Sequence, residues 1–355
     1  MQSPMQYLVS MCRASSLAAL LACPLGAFGA TGGYVNIAGE SPQALLAPAD
    51  GANPKIEKLL AQPSDLWERI RLGFAMPDLD RKLVAQQVAW YAARPELVQA
   101  IAQRARQYLH FIVDETERRG MPTELALLPF IESGFNPMAL SPAQASGLWQ
   151  FIPETGSKYK LAQGAHYDGR RDVVASTGAA LDYLQFLYET NRRDWHLALA
   201  SYNWGEAAVA RAVERNRSRG LPENYESLTM PEETRSYVPR LLAIKQIILD
   251  PAAYGIQLAE IPNEPFFGVV RVPDDLELRL AAQFAGMPMD EFLSLNPAFN
   301  SKHAPGDSGP GLLIPVEKEE AFRGNLERYR EDLARQAAAR PSPSKGARPK
   351  SATRF

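Results

Sequence analysis

The sequence predicts a mainly α-helical domain followed by a small β-α-α-β unit, and three observations carry that prediction. Apolar residues recur at three- and four-residue spacing in successive windows between Leu97 and Leu249. Between Phe266 and Val316 the pattern changes: Phe267, Val269 and Arg271 alternate with their neighbours, and Leu312–Val316 is a second short apolar run. The 355 residues are 46% apolar, enough to bury one large core or two modest ones. Lysine and arginine number 38 against 40 aspartates and glutamates, a formal net charge of −2 that gives no electrostatic reason to bind nucleic acid. No apolar run reaches the roughly 18 residues that a membrane-spanning helix needs.

Taken in order, residues 1–30 read as an export segment, because Ser16 to Ala30 form a short apolar stretch after Arg13. Two processing routes compete there. Leu20-Leu21-Ala22-Cys23 resembles a lipoprotein box, which would put a lipid anchor on Cys23, whereas Ala27-Phe28-Gly29 offers small residues for ordinary cleavage. Both cysteines, Cys12 and Cys23, lie in this segment, so the folded part is expected to use neither a disulfide nor a thiol nucleophile. Residues 31–63, rich in Ala, Gly and Pro without a period, read as a linker.

Residues 64–255 form the larger domain, with a helical extension ahead of a motif core at 117–230. A helix starts near Asp65, and Leu97, Val98, Ile101, Ala105, Tyr108, Leu109 and Ile112 share one face of a single amphipathic helix. Further helices are expected at Thr123–Glu132, Asp172–Glu189, Trp195–Tyr202, Glu206–Arg217 and Glu232–Leu249, with Asp172 as an N-cap and Gly220 as a C′ residue. Residues 264–317 form the smaller unit, with helical stretches around Leu276–Phe284 and Met289–Leu295 between its strands. Residues 318–355 read as a charged helix to about Ala338 and then a basic, solvated tail.

One stretch carries recognisable chemistry. In Glu124-Leu-Ala-Leu-Leu-Pro-Phe-Ile-Glu132-Ser133-Gly134-Phe135-Asn136-Pro137 a carboxylate ends an apolar helix where the chain turns away. Apolar neighbours and the negative helix end both disfavour its ionised form. Raising a glutamate from about 4.3 to about 6 takes roughly 2.3 kcal/mol, within what a hydrophobic pocket supplies, and suits a general acid.

The blocks that follow are Ser141-Pro-Ala-Gln-Ala-Ser146-Gly147-Leu148-Trp149-Gln150-Phe151-Ile152, Ser201-Tyr202-Asn203-Trp204-Gly205-Glu206 and Glu233-Thr234-Arg235-Ser236-Tyr237-Val238, with Tyr167 to Ser176 between them. Together they resemble the lysozyme-like lytic transglycosylase domain that acts on peptidoglycan, most of all the D group of the membrane-bound murein transglycosylases. The resemblance implies a lysozyme-like α+β fold and makes Glu132 the single catalytic acid/base. It places Ser133, Ser141, Gln150, Ile152, Tyr202, Asn203 and Glu233 along a sugar cleft, where hydroxyls, amides and a phenol suit a glycan. Aromatic surfaces such as Trp149 and Tyr237 suit packing against sugar faces, but for Trp149, Trp204 and Tyr237 a core role is at least as well founded.

Most glycosidases use two carboxylates. Glu154 and Asp168 are candidates for the second, but both read better as loop or capping residues. The resemblance supplies a route without one: Glu132 protonates the glycosidic oxygen, then takes the proton of the C6 hydroxyl of the same muramyl residue, giving a 1,6-anhydro end. It also implies a peptidoglycan partner and a Gram-negative periplasmic address. The four histidines, His110, His166, His196 and His303, show no metal-ligand spacing, so neither metal nor cofactor is expected.

Residues Phe266–Val316 resemble a degenerate LysM-type module, with Val272-Pro273-Asp274-Asp275-Leu276 at the family's Gly-Asp-Thr/Ser-Leu turn and Leu293-Ser-Leu-Asn296-Pro297 beyond. The missing glycine leaves glycan binding and a purely buttressing role equally open. Two rival readings of the whole chain stand beside the lytic one: a lysozyme-type hydrolase and an inactive cell-wall-binding protein.

Overall fold

Asp65 opens the first helix, its carboxylate accepting the Trp67 N–H at 3.2 Å. The structure, a computed structural model, describes residues 63–339 except 80, 274–275 and 305–308, and describes no side chain for 81, 337 and 339. The export segment with Cys12 and Cys23, nearly all of the linker and the basic tail lie outside the described residues. No described helix is long and apolar enough to cross a membrane.

Helix α1 (Leu66–Leu72) is held to the far end of the larger domain: Leu66 N–H donates to the Ile261 carbonyl and the Trp67 indole to Ala259. Helices α2 (Arg81–Ala92), α3 (Pro95–Ala105) and α4 (Leu109–Arg118) follow. The single helix expected across 97–112 is therefore two. Both halves bury the predicted positions, including Val98, Ile101, Leu109 and Ile112, so the periodicity runs unbroken through a turn that contains neither Gly nor Pro.

The expected helix Thr123–Glu132 also divides, into a 3-10 turn (Thr123–Leu127) and α5 (Leu128–Glu132). Pro129 explains the division, since it lacks the N–H that a continuous helix needs and is tolerated in a first turn. Helix α6 (Pro153–Lys158) is additional to the sequence reading. Helices α7 (Val173–Thr190), α8 (Trp195–Trp204), α9 (Glu206–Arg217) and α10 (Glu232–Leu249) lie where the periodicity put them. Asp172 caps α7 by accepting the Ala175 N–H at 2.8 Å. Gly220, at φ +65°, stands where left-handed backbone closes the turn after α9: its N–H reaches Arg217 and that of Leu221 reaches Asn216.

Helix α10 is the spine of this domain, packed against α2 and α8 and buried from Val238 to Ile248 over most of its length. The β component is reduced here to isolated bridges, Leu140 to Ser146 and Ser146 to Phe151. The only ladder among the described residues belongs to the smaller unit. There β1 (Phe267–Val270) pairs antiparallel with β2 (Leu312–Pro315), and α11 (Leu278–Phe284) and α12 (Met289–Leu295) lie between them. Buried Asn296 fastens α12 to β2, donating to the Leu313 carbonyl at 2.9 Å and accepting its N–H at 2.8 Å.

Helix α13 (Val316–Ala339) is the charged helix expected to about Ala338, and its few apolar positions seat it on the smaller unit. Its Phe322 and Leu326 are buried in the smaller unit's core with Phe292, Leu312 and Ile314. Two apolar positions a helical turn apart suffice to seat a helix whose other faces are charged. Phe322→Ala is expected to lose about 3–5 kcal/mol of that unit's stability. Thermal unfolding measures it, and an unchanged melting profile would show that α13 is dispensable to the core.

Candidate active site

Four segments converge on Glu132. The first is the turn that ends α5, where Ser133 and Phe135 both send their N–H groups back to the Pro129 carbonyl. Gly134 and Phe135 are consecutive left-handed residues, at φ 59° and 54°, and the Gly134 carbonyl accepts the Arg104 guanidinium at 2.7 Å. The reversal leaves Glu132 half-buried at the helix end.

The second segment is the loop 139–151. Ser133 Oγ donates to the Leu148 carbonyl at 2.9 Å, which ties this loop to the base of Glu132. Gln150, left-handed at φ 49°, donates its amide to the Gly147 carbonyl at 2.9 Å and to Ala139 at 3.3 Å. Gly147 sits at φ 85° against the Arg170 carbonyl, where a Cβ would overlap the oxygen. The third segment is the end of α8, where the Tyr202 hydroxyl donates to the Trp149 carbonyl at 2.8 Å.

The fourth is the first turns of α10. Tyr237 donates its hydroxyl directly to Glu132 Oε1. Thr234 Oγ1 donates to Asn203 Oδ1 at 2.8 Å, joining α10 to α8. Glu233 is held by Arg240 at 3.0 Å, one helical turn beyond Tyr237. Glu233, Tyr237 and Arg240 thus share one face of α10.

These neighbours set the acid's titration. Burial pushes the Glu132 carboxyl up to about 7, the Tyr237 hydrogen bond pulls it down, nearby Glu233 pushes it up and Arg240 pulls it down. The helix end predicted to help is a single turn of five residues, too short for a large dipole, so burial is the main cause. Tyr202 is pushed well above its ordinary range by burial and then by the Glu132 charge, so it stays a neutral phenol.

Of the residues singled out from the sequence, Glu132, Ser133, Gln150, Tyr202, Asn203 and Glu233 belong to this connected set. Ser133 and Gln150 direct their donors at backbone carbonyls, holding the loop. Ser141 accepts the Ala145 N–H within the loop, and Ile152, half-buried, precedes α6. Asp168 is a clamp: burial pushes its carboxyl up, but the Arg170 hydrogen bonds at 3.0 and 2.8 Å hold it below the usual carboxylate range. Arg170 also donates to the Gln144 and Phe151 carbonyls, so the pair braces the loop that carries Gln150. The sequence reading gave Tyr237 only as a sugar-stacking or core aromatic. A carboxylate, a phenol and a guanidinium at i, i+4 and i+7 of one helix was the signal available for it.

Fold and site together define a lysozyme-like helical domain built around one half-buried carboxyl, with a small LysM-like unit behind it. The transglycosylase SLT domain family matches residues 110–223, and the LysM-like domain of lytic transglycosylase MltD matches residues 266–331. Membrane-bound lytic murein transglycosylase D of Escherichia coli K12 is 36% identical over 270 residues, 75% of this chain and 59% of that protein. A putative tributyltin chloride resistance protein of Alteromonas sp. M-1 is 44% identical over 119 residues, 34% of this chain and 58% of that protein. Membrane-bound lytic murein transglycosylase C of Haemophilus influenzae Rd is 29% identical over 154 residues, 40% and 43% of the two chains. The chain thus carries a transglycosylase SLT domain followed by the LysM-like domain of the MltD type. It spans about three-fifths of the length of the E. coli relative.

Because the folded pKa of Glu132 lies above its ordinary 4.5, the folded state holds this proton more tightly than the unfolded one. Stability from this group is therefore full below about 4.5 and is lost as pH rises through about 7. Between pH 5 and 8 the loss is expected to be about 1–2 kcal/mol after discounting for partial exposure, and Glu132→Gln is expected to remove it. Urea midpoints of both proteins at the two pH values measure the difference. Tyr237→Phe removes a bond to the charged form, so the carboxyl is expected to rise by about one further pH unit, read by carbon-13 NMR titration.

Proposed function

We propose that the protein cleaves the β-1,4 bond between N-acetylmuramic acid and N-acetylglucosamine in peptidoglycan without water, leaving 1,6-anhydromuramyl ends, for cell-wall remodelling and turnover. The observation that carries this reading is a single carboxyl that burial keeps protonated close to neutral pH, beside a tyrosine that hydrogen-bonds its ionised form. In the first step the Glu132 carboxylic acid gives its proton to the glycosidic oxygen, and the C1–O bond breaks. The carboxylate that remains is stabilised by the Tyr237 hydroxyl. In the second step it takes the proton of the C6 hydroxyl, whose oxygen bonds to C1 of the same sugar. Glu132 is protonated again and no other reactant is needed. The closure is intramolecular, so it gains from a nucleophile already in place.

The surroundings of Glu132 favour this route over lysozyme-type hydrolysis. Asp168 is fully engaged by Arg170, and Glu233, the nearby carboxylate that acts on Glu132, is paired with Arg240. Hydrolysis would need one of them released as base or nucleophile. Asn203, Gln150 and Glu233 offer acceptors suited to sugar hydroxyls and acetamido groups, and Ser141 and Ile152 are proposed as outer lining of the same cleft. The E. coli relative is named membrane-bound, and with the lipoprotein-like box this supports export to a Gram-negative periplasm with a lipid anchor at Cys23.

Incubation with isolated peptidoglycan, followed by mass analysis of the released muropeptides, tests the reading. Anhydromuramyl products from wild type and a loss of about 100-fold or more in Glu132→Gln are expected, the scale of removing a general acid. Reducing-end products would move the assignment to a hydrolase. No release from wild type would favour the binding protein.

A further inference from the structure

A groove of about 980 Å³ lies elsewhere on the larger domain, between the loop 73–79, the turn after α4 and the junction of α7 with α8. It shares no residue with the surroundings of Glu132, and its volume is that of a small-molecule or oligosaccharide site.

The groove is constructed at a cost. Its wall at 75–76 is held by the buried pair Glu124 and Lys245, 2.9 Å apart. Glu124 accepts the Ala75 and Met76 N–H groups at 3.0 and 2.9 Å, and Lys245 donates to the Met76 carbonyl at 2.9 Å. Buried ion pairs are costly to desolvate, and the reaction at Glu132 does not use this one. His196 bonds the Pro77 carbonyl at 3.0 Å, joining the same loop to α8. At the opposite rim stands Arg193, left-handed at φ 62° and preceded by another left-handed residue, Arg192 at φ 58°, a conformation that non-glycine residues adopt at an energetic cost.

The same lining leaves polar groups unused. Trp195, 9% exposed, stacks on Tyr188 with ring centroids 4.1 Å apart, and its indole N–H has no partner among the described residues yet keeps contact with solvent. The half-buried Tyr188 hydroxyl likewise bonds no described side chain or carbonyl, and the exposed Arg193 guanidinium and Asn224 amide stand at the rim of the groove with no described partner, open to a ligand. Three carboxylates and two guanidiniums line the groove, so its charge is nearly balanced. An aromatic wall, free amide and N–H donors and little net charge fit a neutral sugar chain better than an anionic peptide.

We propose that this groove is a second, non-catalytic site for the N-acetylated glycan strand, gripping a sugar between the Tyr188–Trp195 wall and the donors of Arg193 and Asn224. The choice of glycan rests on the reading of the chain as a peptidoglycan enzyme. Holding the strand at two places would raise its effective concentration at Glu132.

The test follows the indole N–H signals of the full chain carrying Glu132→Gln, with the Trp195 signal assigned through Trp195→Phe, during titration with N-acetylchitotetraose. A saturable shift of the Trp195 signal is expected, weakened about tenfold or more in Arg193→Ala/Asn224→Ala while the Trp149 and Trp204 signals respond as before. No Trp195 shift at millimolar sugar overturns the proposal, as does a shift produced by a sugar-free stem peptide and not by the chito-oligosaccharide. Muropeptide release by the wild-type protein separates the two readings. Release without a Trp195 shift defeats the groove alone, whereas a Trp195 shift without release supports a sugar-binding groove and defeats the lytic reading.

Discussion

Everything around the proposed chemistry depends on keeping one carboxyl half-buried with one hydrogen-bond donor. Burial alone would lift Glu132 so far that its proton would not leave, and full solvation would strip the proton at neutral pH. The Tyr237 hydroxyl sits between these limits, because it stabilises the anion without supplying a charge. Glu233 and Arg240 act in opposite directions on the same carboxyl, and their mutual ion pair makes each the limit on the other's effect. A pKa near 7 is thus a balance among three residues of one helix face and the wall that excludes water.

Such a balance requires several segments to meet within hydrogen-bond distance, and the backbone bears the strain. Phe135, Gln144 and Gln150 all take left-handed conformations unusual for residues with side chains, and all lie in the turn after Glu132 or in the loop beside it. Loops in such conformations persist when their surroundings over-determine them. Here the Ser133 hydroxyl, the Tyr202 hydroxyl and the Arg170 guanidinium each take one or more of the loop's carbonyls. The polar residues that look like sugar ligands in the sequence therefore also act as braces. Ser133 and Gln150 show why the roles are hard to separate from spelling alone: the same hydroxyl or amide suits a glycan or a carbonyl equally well.

Legibility in the sequence followed the range of the interaction. Helices α7 to α10 were readable because their caps and periodicity are local, as were the two strands and two helices of the smaller unit. Glu132 stood out in the sequence only together with the Gly147-Leu148-Trp149-Gln150, Tyr202-Asn203 and Glu233-Thr234-Arg235 blocks, since a carboxylate at a helix end is by itself more often a solvated terminus. The break between α3 and α4 was not, since apolar spacing continues through it. Tyr237 lies 105 residues from Glu132, and an aromatic in an apolar helix ordinarily signals core packing. The seating of α13 was hidden for the opposite reason: two buried positions, Phe322 and Leu326, are outnumbered by charges.

The LysM-like unit is continuous with the architecture of the site. Phe267, Leu295 and Leu313 belong to the larger domain's core, and Phe267 packs on Phe111 with ring centroids 5.5 Å apart. Asp168 N–H donates to the Ala298 carbonyl and Asn300 N–H to His166, while Tyr167 meets Phe299. The segment so docked is the one whose Asp168 fixes Arg170, and Arg170 fixes the loop that carries Gln150. Tyr167 also donates to Asp172, the cap of α7, at 2.6 Å. A path of packed and hydrogen-bonded groups thus runs from the smaller unit to the loop beside Glu132. That gives the unit a structural part in the site whatever it binds: loosening its contact with residues 166–168 would first release the Asp168–Arg170 clamp, and only then the acid itself.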